Sequence, residues 1–142
     1  MIRWCYDYWQ SKRRNERLPD RNDIVPAEMK SFLHHVILMD VERLADRYRF
    51  RQRLVGTHIV ELFGRDTTGE YVDQTSAPHH YAAVYARLAN IVDTGHPSFG
   101  IFYPPTPHLY FLEYEHLTLP LASDGRSVDI LFGVRCGLSK DG

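Results

Sequence analysis

One stretch of the chain brings together residue types that bind metals or transfer protons. Glu113 and Glu115 precede His116 in a segment that alternates like a β-strand. Successive side chains of a strand point to opposite faces, so both carboxylates share one face and the imidazole lies on the other. We therefore expect no metal or acid–base cluster on this strand. The sequence has no HExxH or GxSxG motif and no phosphate-binding glycine run, so we expect no catalytic activity.

The cysteines and the net charge argue against several further classes of protein. Cys5 and Cys136 are far apart and neither belongs to a CxxC pair, which gives no support to a zinc site or a secreted disulfide framework. The formal net charge is −1, so no long-range field favours nucleic acid or anionic lipid. We find neither a signal peptide nor a run of about 18 apolar residues. The sequence therefore predicts a cytoplasmic protein without a nucleic-acid or membrane partner.

Aromatic side chains, which make up 13% of the residues, could instead bind a ligand. They either fill a core or line a pocket for a flat ligand, which only the elements that position them can decide. The first element is a helix from Ile2 to about Arg14, with apolar residues at helical spacing. Its basic end, Lys12 to Arg17, is typical of cations near a helix C-terminus.

A connector, a short helix and two strands follow. Leu18 to Pro26 is rich in proline and charge, and Pro26 starts a helix that ends near Leu33. His35 to Glu42 indicates an apolar strand. The next strand has a two-residue period, and the short connection between the two strands predicts a hairpin. The side chains that this period places on one face are Tyr48, Phe50, Gln52 and Leu54.

Two more helices and three strands complete the pattern. Ile59 to Phe63 predicts a short helix that Gly64 stops, and the longest helix begins at Pro78 and ends at Gly95. The strands predicted after it are Ser98 to Tyr103, Tyr110 to Leu121 and Ser127 to Leu138, the last two joined by a turn at Asp124-Gly125. This order predicts an α+β fold, a five-stranded antiparallel sheet with helices over one face.

Several short motifs follow one another along the chain. They are Tyr8-Trp9 followed by Arg17, Pro19, Arg21, Asp23, Ile24 and Pro26; LMDVE at 38–42; RFRQRLVGT at 49–57; LFGRDTTG at 62–69; Gly95 and Pro97; YEHLTLPL at 114–121; and VDILFG at 128–133 after Asp124-Gly125. Together they resemble the PAS domain, in the PAS-like family common in proteobacterial proteins of unknown function. The resemblance implies a PAS fold over residues 26–138, preceded by an extra N-terminal helix and connector in residues 1–25.

The resemblance also implies a bacterial sensory and interaction module whose sheet and long helix enclose a small cavity. PAS domains commonly dimerise, often through an N-terminal helix packed on the outer face of the sheet. The candidate dimer-interface residues are Trp4, Tyr8 and Trp9. Because few residues follow Leu138, we expect a stand-alone module that signals to an unidentified partner protein.

The cofactor stays unknown, since PAS cavities hold haem, flavin, carboxylates, lipids or nothing. Light-oxygen-voltage photosensors need a cysteine shortly after a position like Gly64-Arg65, where this chain has Asp66-Thr67-Thr68. Haem needs an axial histidine, and the pair His79-His80 beside a proline is typical of an exposed helix start. The sequence therefore disfavours both flavin and haem.

The implied cavity would be lined by aromatic rings and one imidazole. The candidate ligand-binding residues are Phe50, Phe63, Tyr81, Tyr85, Phe102, Tyr114 and His116. Such a set suits a flat or fatty molecule, and His116, with a pKa near neutrality, would anchor a carboxylate. The alternative that these rings only fill the core stays open.

Two interpretations of function follow. The first is a sensor that binds a small organic ligand and regulates a partner as a homodimer. The second is a ligand-independent dimerisation or protein-interaction scaffold. A small isomerase-like or dehydratase-like enzyme fits poorly, because the sequence offers no acid–base pair facing one pocket. Arg65 and Asp66 are predicted to form a salt bridge that fixes the loop after Gly64.

Overall fold

Helices cover both faces of one antiparallel sheet. The computed structural model describes residues 1–102 and 113–137. The helices are α1 (Ile2–Lys12), α2 (Thr57–Phe63), α3 (Val72–Thr75) and α4 (Pro78–Thr94), and the strands are β1 (Val36–Arg43), β2 (Tyr48–Val55), β3 (Ser98–Phe102), β4 (Tyr114–Leu121) and β5 (Ile130–Gly137). Two 3₁₀ segments, Arg21–Asp23 and Pro26–His35, connect α1 to β1. The strand order β2-β1-β5-β4-β3 leaves β2 and β3 at the edges, which confirms the predicted fold class.

The two faces of the sheet can be told apart on β4. Leu117 lies on the side of α1, where it lines a groove with Ile2 and Tyr6; we call this the outer face. The neighbouring Thr118 points the other way, because strand residues alternate, and its Oγ1 accepts a hydrogen bond of 3.2 Å from Arg87 of α4. We call that side the inner face.

α1 is anchored to the outer face by the indole of Trp9. Its Nε1–H donates a hydrogen bond of 2.9 Å to the backbone oxygen of Pro120 in β4. Cys5, one turn earlier, is also buried. Burial of an aromatic ring together with its polar atom fixes both the depth and the rotation of the helix. None of the helices within the described residues has the length and the apolar character of a membrane span.

Local sequence signals set most element boundaries. Gly95 follows α4 with a φ of 70°, a left-handed conformation that favours glycine and ends the helix. β5 begins at Ile130, later than the predicted Ser127, because the carboxylate of Asp124 accepts hydrogen bonds from the backbone N–H groups of Arg126 and Ser127. These bonds keep both residues in the turn. The predicted strand residues Tyr103, Tyr110 and Leu138 lie outside the described residues.

The predicted face of β2 is wrong at one residue. Met39 pairs with Gln52 but Leu38 pairs with Leu54, so Arg53 is an extra residue in β2. Such a bulge shifts the alternation by one position. Phe50 and Gln52 stay buried on the inner face, whereas Leu54 is exposed.

Candidate functional site

Three of the predicted ligand-binding residues meet on the inner face where β3 pairs with β4. Phe102 lies directly opposite Tyr114, and its ring centroid is 5.6 Å from that of Tyr114 and 6.0 Å from that of His116. Gly100 lies opposite His116, where a Cβ would be 3.0 Å from the imidazole Nε2. The absence of a side chain at this glycine therefore allows the imidazole to lie close against β3.

The other predicted aromatic residues lie toward the opposite edge of the sheet, between β2 and α4. The ring centroid of Tyr85 is 6.1 Å from that of Phe50 and 5.9 Å from that of Tyr81. A solvent-open groove of about 690 Å³ is lined there by Asp46, Arg47, Tyr48, Arg49, Asp73, Tyr81 and Tyr85. Phe63 ends α2 and packs, half-buried, against the core. The structure thus divides the predicted residues instead of bringing all of them into one pocket.

Two arginines absent from the sequence prediction complete the group on β3 and β4. Arg135 of β5 lies directly opposite His116, and its guanidinium carbon is 5.1 Å from the ring centroid of Phe102. Arg87 of α4 approaches the same face through its hydrogen bond to Thr118. We call Arg87, Arg135 and His116 the basic cluster.

A periodic signal for both arginines was present in the sequence. Arg135 follows Leu131 and Gly133 at the two-residue spacing of one face of β5. Arg87 comes three residues after Val84, within the apolar stripe of α4. Charged side chains are usually assigned to solvent because they are almost never fully buried without a partner. For this reason the sequence pattern does not identify Arg87 and Arg135 as site residues.

Several polar atoms of the basic cluster are buried without partners. Nδ1 of His116, and Nε and Nη1 of Arg135, are inaccessible to solvent and have no hydrogen-bond partner within residues 1–102 and 113–137. The side chain of His116 is only 7% exposed. A buried polar group without a partner destabilises the folded state by about 1–3 kcal/mol. The cluster is therefore unlike an ordinary core, in which such atoms are bonded.

Burial and mutual repulsion determine the protonation of the basic cluster. Burial, followed by the charges of Arg87 and Arg135, lowers the pKa of His116 to about 3. Burial, followed by the charge of Arg87, lowers the pKa of Arg135 to about 9, and burial lowers the pKa of Arg87. The expectation that His116 titrates near neutrality is therefore wrong. At neutral pH the imidazole is neutral, and the positive charge belongs to the arginines.

A group of imidazoles adjoins the basic cluster. The ring centroid of His35 is 4.2 Å from that of His34 and 4.3 Å from that of His58, and His35 Nδ1 is 2.9 Å from the backbone oxygen of Arg135. The ring of His58 is 5.9 Å from that of Tyr114. Burial lowers the pKa of His35 and of His58. No group of histidine, cysteine and carboxylate side chains among the described residues can hold a metal ion.

The predicted dimer-interface residues differ in exposure. Trp9 is buried against β4, where it bonds Pro120, and Tyr8 is buried against the connector, where its hydroxyl accepts a hydrogen bond of 3.0 Å from the backbone N–H of Val25. Trp4 is 42% exposed and stacks on Tyr8 with 4.7 Å between the ring centroids. Phe99 and Ile101 of β3 are also exposed, at 58% and 56%, and a groove of about 510 Å³ runs between α1 and this strand. Of the three predicted residues, Trp4 is therefore the one most accessible to a second chain.

The loop after α2 is fixed by an ion pair other than the predicted one. Nη2 of Arg65 donates a hydrogen bond of 3.0 Å to the carboxylate of Glu70, and Nη1 bonds the other oxygen. The carboxylate of Asp66 instead accepts hydrogen bonds from the backbone N–H and the hydroxyl of Thr68. The predicted Arg65–Asp66 salt bridge is therefore wrong, because an aspartate readily bonds the backbone two residues later.

Comparison with known families assigns this architecture. The family model described as "PAS domain" matches residues 2–136. The chain belongs to the PAS domain family. The match confirms the resemblance seen in the sequence motifs, and it includes α1 as well as the sheet. No curated protein matches the sequence of this PAS domain.

Several solved light-oxygen-voltage domains share the fold of this PAS domain. One, studied with a flavin analogue, is 13% identical and has a TM-score of 0.58, with 81% of this chain and 84% of that chain covered. The d2 variant of RsLOV is 12% identical with a TM-score of 0.57, covering 100% of this chain and 71% of that chain. The light-oxygen-voltage protein of Rhodobacter sphaeroides is 12% identical with a TM-score of 0.55, covering 84% and 71%. At such low identities the likeness shows the fold alone.

Neither thiol of this PAS domain faces the inner side of the sheet. Cys5 is buried in α1, and burial raises its pKa to about 12. Cys136 pairs with Glu115 and follows Arg135, so its side chain lies on the outer face of β5. Positions 66–68 carry no cysteine. A thiol that attacks a flavin on the inner face therefore does not fit this chain.

Proposed function

We propose that this PAS domain is a sensory module that binds a small organic ligand on the inner face of its sheet and, as a homodimer, regulates a partner protein. The observation that carries the proposal is the meeting of Phe102, Tyr114 and His116, with a buried imidazole nitrogen that no described residue bonds. Apolar rings around a few unsatisfied polar groups are the usual composition of a ligand pocket.

The geometry of β3 supports a link between ligand and partner. This strand is five residues long and lies at an edge of the sheet. Gly100 and Phe102 lie on the inner face, whereas Phe99 and Ile101 are exposed on the outer face. A ligand that displaces Phe102 would therefore shift the exposed residue next to it. An exposed apolar edge strand is also a typical surface for pairing with another chain.

The proposed role is cytoplasmic and non-catalytic. Binding energy from the ligand would change the population of two arrangements of β3 and α1, and the partner would bind one of them better. The dimer contact is proposed at the exposed apolar side chains of α1 and β3, namely Trp4, Phe99 and Ile101. Phe99 lines the groove between α1 and β3, whereas Trp4 lies on another side of α1, against Tyr8 and Phe32. Exposed apolar side chains of this kind favour protein contacts over solvent.

A ligand-independent interaction scaffold is the second candidate function. The exposed residues Phe99 and Ile101 favour it, because a contact through them needs no ligand. In that case the inner-face rings would only fill the core. The dimer would then form equally in the presence of any compound, and no compound would raise the melting temperature.

The two candidates are separated by native mass spectrometry of the purified chain, compared with the same sample after denaturation. The sensor proposal expects a dimer with an extra mass that denaturation releases, or a compound in a small-molecule set that raises the melting temperature. Two alanine variants on one strand give a matched control. Phe102→Ala should lose the ligand and keep the dimer, whereas Phe99→Ala should weaken the dimer and keep the ligand. A dimer without any ligand response would favour the scaffold, and a monomer at all concentrations would refute both dimer proposals.

A further inference from the structure

The basic cluster holds positive charge that nothing in its described surroundings balances. Arg87 and Arg135 both lower the pKa of His116, and no carboxylate of the described residues offsets the effect of burial on any of the three. The sequence at 103–112, outside the described residues, contains neither Asp nor Glu. Asp141 is the only carboxylate side chain outside the described residues.

The contacts within the cluster do not replace a counter-charge. The ring of Phe102 lies beside the guanidinium of Arg135, which attracts the cation but offers no acceptor in line with its N–H groups. Arg87 donates one hydrogen bond to the neutral hydroxyl of Thr118. Buried charges in proteins are normally paired with an opposite charge or with an ion. Arg87 and Arg135 are half-buried side chains, but Nε and Nη1 of Arg135 are inaccessible to solvent and have no partner among the described residues, which favours an anionic partner for the pair.

We propose that Arg87, Arg135 and His116 bind the anionic group, a carboxylate or a phosphate, of a small organic molecule. The inference rests on the proposed function and names the chemical class of its ligand. Arginine has donors and no acceptor, and the oxygens of a carboxylate or phosphate accept several N–H groups at once. The rings of Phe102 and Tyr114, beside the cluster, contact the organic part of the ligand.

The anion also changes the chemistry of His116. In the cluster alone, burial and then the two guanidinium charges lower the pKa of the imidazole. A bound anion offsets the repulsion by the guanidinium groups, so protonation becomes easier and both ring nitrogens become donors. Binding of an anion and uptake of a proton by His116 are thus coupled, and each strengthens the other. A neutral ligand has no such effect on the imidazole.

The binding test titrates the full chain with benzoate, succinate and inorganic phosphate, followed by calorimetry and by the melting temperature. Benzamide and succinamide, which have similar shapes without the charge, are the control compounds. We expect at least one anion to bind and neither amide to bind. Arg135→Met and Arg87→Met should each weaken binding roughly tenfold or more, because each removes a charged donor of the proposed site. The matched control is Arg126→Met, which removes an exposed arginine and should leave the affinity unchanged.

The second readout is the pKa of His116, followed by NMR of its ring. We expect the bound anion to raise this pKa in the wild-type chain, and a neutral binder to leave it unchanged. If Arg135→Met does not fold, Arg87→Met and the His116 titration still decide the matter. Asp141→Asn tests for a counter-charge within the chain. We expect no change in the anion affinity of this variant. A tenfold gain would mean that Asp141 itself neutralises the arginines, and it would overturn the inference.

The outcomes distinguish this inference from the proposed function. Equal affinity of the wild-type and Arg135→Met chains for the anion would place the anion elsewhere and overturn the inference. The same holds if no anion binds but a neutral compound does, with binding lost in Phe102→Ala; the sensor function then stands without the anion. If no compound of either kind binds, both proposals fail.

Discussion

The two ends of the inner face satisfy their charges in different ways. At the β2–α4 end, Arg49 donates hydrogen bonds of 2.8 and 3.0 Å to the two carboxylate oxygens of Asp73, and the hydroxyl of Tyr48 donates to the carboxylate of Asp93. At the β3–β5 end, the basic cluster has no carboxylate among the described residues, and several of its nitrogens have no partner. Both ends pack against the same helix, α4. The difference in ion pairing therefore does not come from packing against different helices.

This difference in ion pairing indicates that the β2–α4 end stabilises the fold, whereas the β3–β5 end is available for binding a ligand. A satisfied polar network stabilises one arrangement of the chain, and the β2–α4 end has that character. Unsatisfied buried groups lower stability, and proteins commonly retain such groups where function needs them. The comparison therefore predicts that equivalent substitutions at the two ends have effects of different size or opposite sign.

The largest expected contrast is between two phenylalanines. Phe50 is 1% exposed and packs among rings of β2 and α4, so Phe50→Ala should lower the free energy of unfolding by about 3–5 kcal/mol. Phe102 is half-buried on an edge strand, and Phe102→Ala should have a clearly smaller effect. Urea denaturation of both variants measures the difference. An equal or larger loss in Phe102→Ala would show that the β3–β5 end is structural.

Removing a charge should have opposite effects at the two ends. Arg135→Met removes a buried guanidinium without a counter-charge and should raise the free energy of unfolding by about 1–3 kcal/mol in the absence of ligand. Asp73→Asn breaks the ion pair with Arg49 and should lower the melting temperature. Thermal unfolding of both variants beside the wild type checks the two signs. A loss of stability in Arg135→Met would mean that this arginine already has an internal partner.

Acid should act on the two ends in different pH ranges. The pKa of His116 is about 3 in the folded chain against an ordinary 6.5, so between these values the unfolded chain binds a proton that the folded chain does not. The resulting stability is fully present above 6.5 and is lost as the pH falls toward 3. The pKa of Asp73 is lowered from 3.8 by Arg49, so its contribution is lost only below 3.8.

The pH prediction is measured by urea denaturation of wild type and His116→Gln. Between about pH 7 and about pH 5 the wild type should lose about 1–2 kcal/mol more than the variant. Taking the difference between the two proteins removes the contribution of His35 and His58, whose pKa values are also lowered by burial. Identical pH profiles would mean that neither burial nor the charges of Arg87 and Arg135 oppose protonation of the His116 imidazole in the folded chain.

The fold could be predicted where local residues decide it. Gly64 and Gly95 end their helices in left-handed conformations, which is a property of the glycine itself. Leu54 was assigned to the wrong face because the bulge at Arg53 depends on pairing with β1, which the period of β2 alone does not show. The partner of Arg65 was missed for a similar reason. Glu70 comes near it only after the loop folds.

The site could be predicted only in its apolar part. Alternation along β4 correctly separated Glu115 from His116, and Phe102, Tyr114 and His116 do meet. The arginines were missed because their burial follows from packing of α4 against β4 and β5, and a sequence does not show which charged side chain this packing encloses. The pKa of His116 depends on the same packing. The positions of the aromatic rings in this site can therefore be predicted from the sequence, whereas the pKa values of its buried groups can be derived only from the structure.

The smallest contrast concerns single hydroxyl groups. Thr118 is fully buried, and its Oγ1 accepts a hydrogen bond from Arg87; Thr118→Val would leave that guanidinium nitrogen without an acceptor, at a cost of about 1 kcal/mol or more. The hydroxyl of Tyr48 bonds Asp93 at a site that water reaches, so Tyr48→Phe should change stability by less than about 0.5 kcal/mol. Both substitutions nearly preserve shape, so urea denaturation compares the hydrogen bonds themselves. If the two losses were equal, water would reach Arg87 as easily as it reaches Tyr48, and the case for a dehydrated anion site beside Thr118 would be lost.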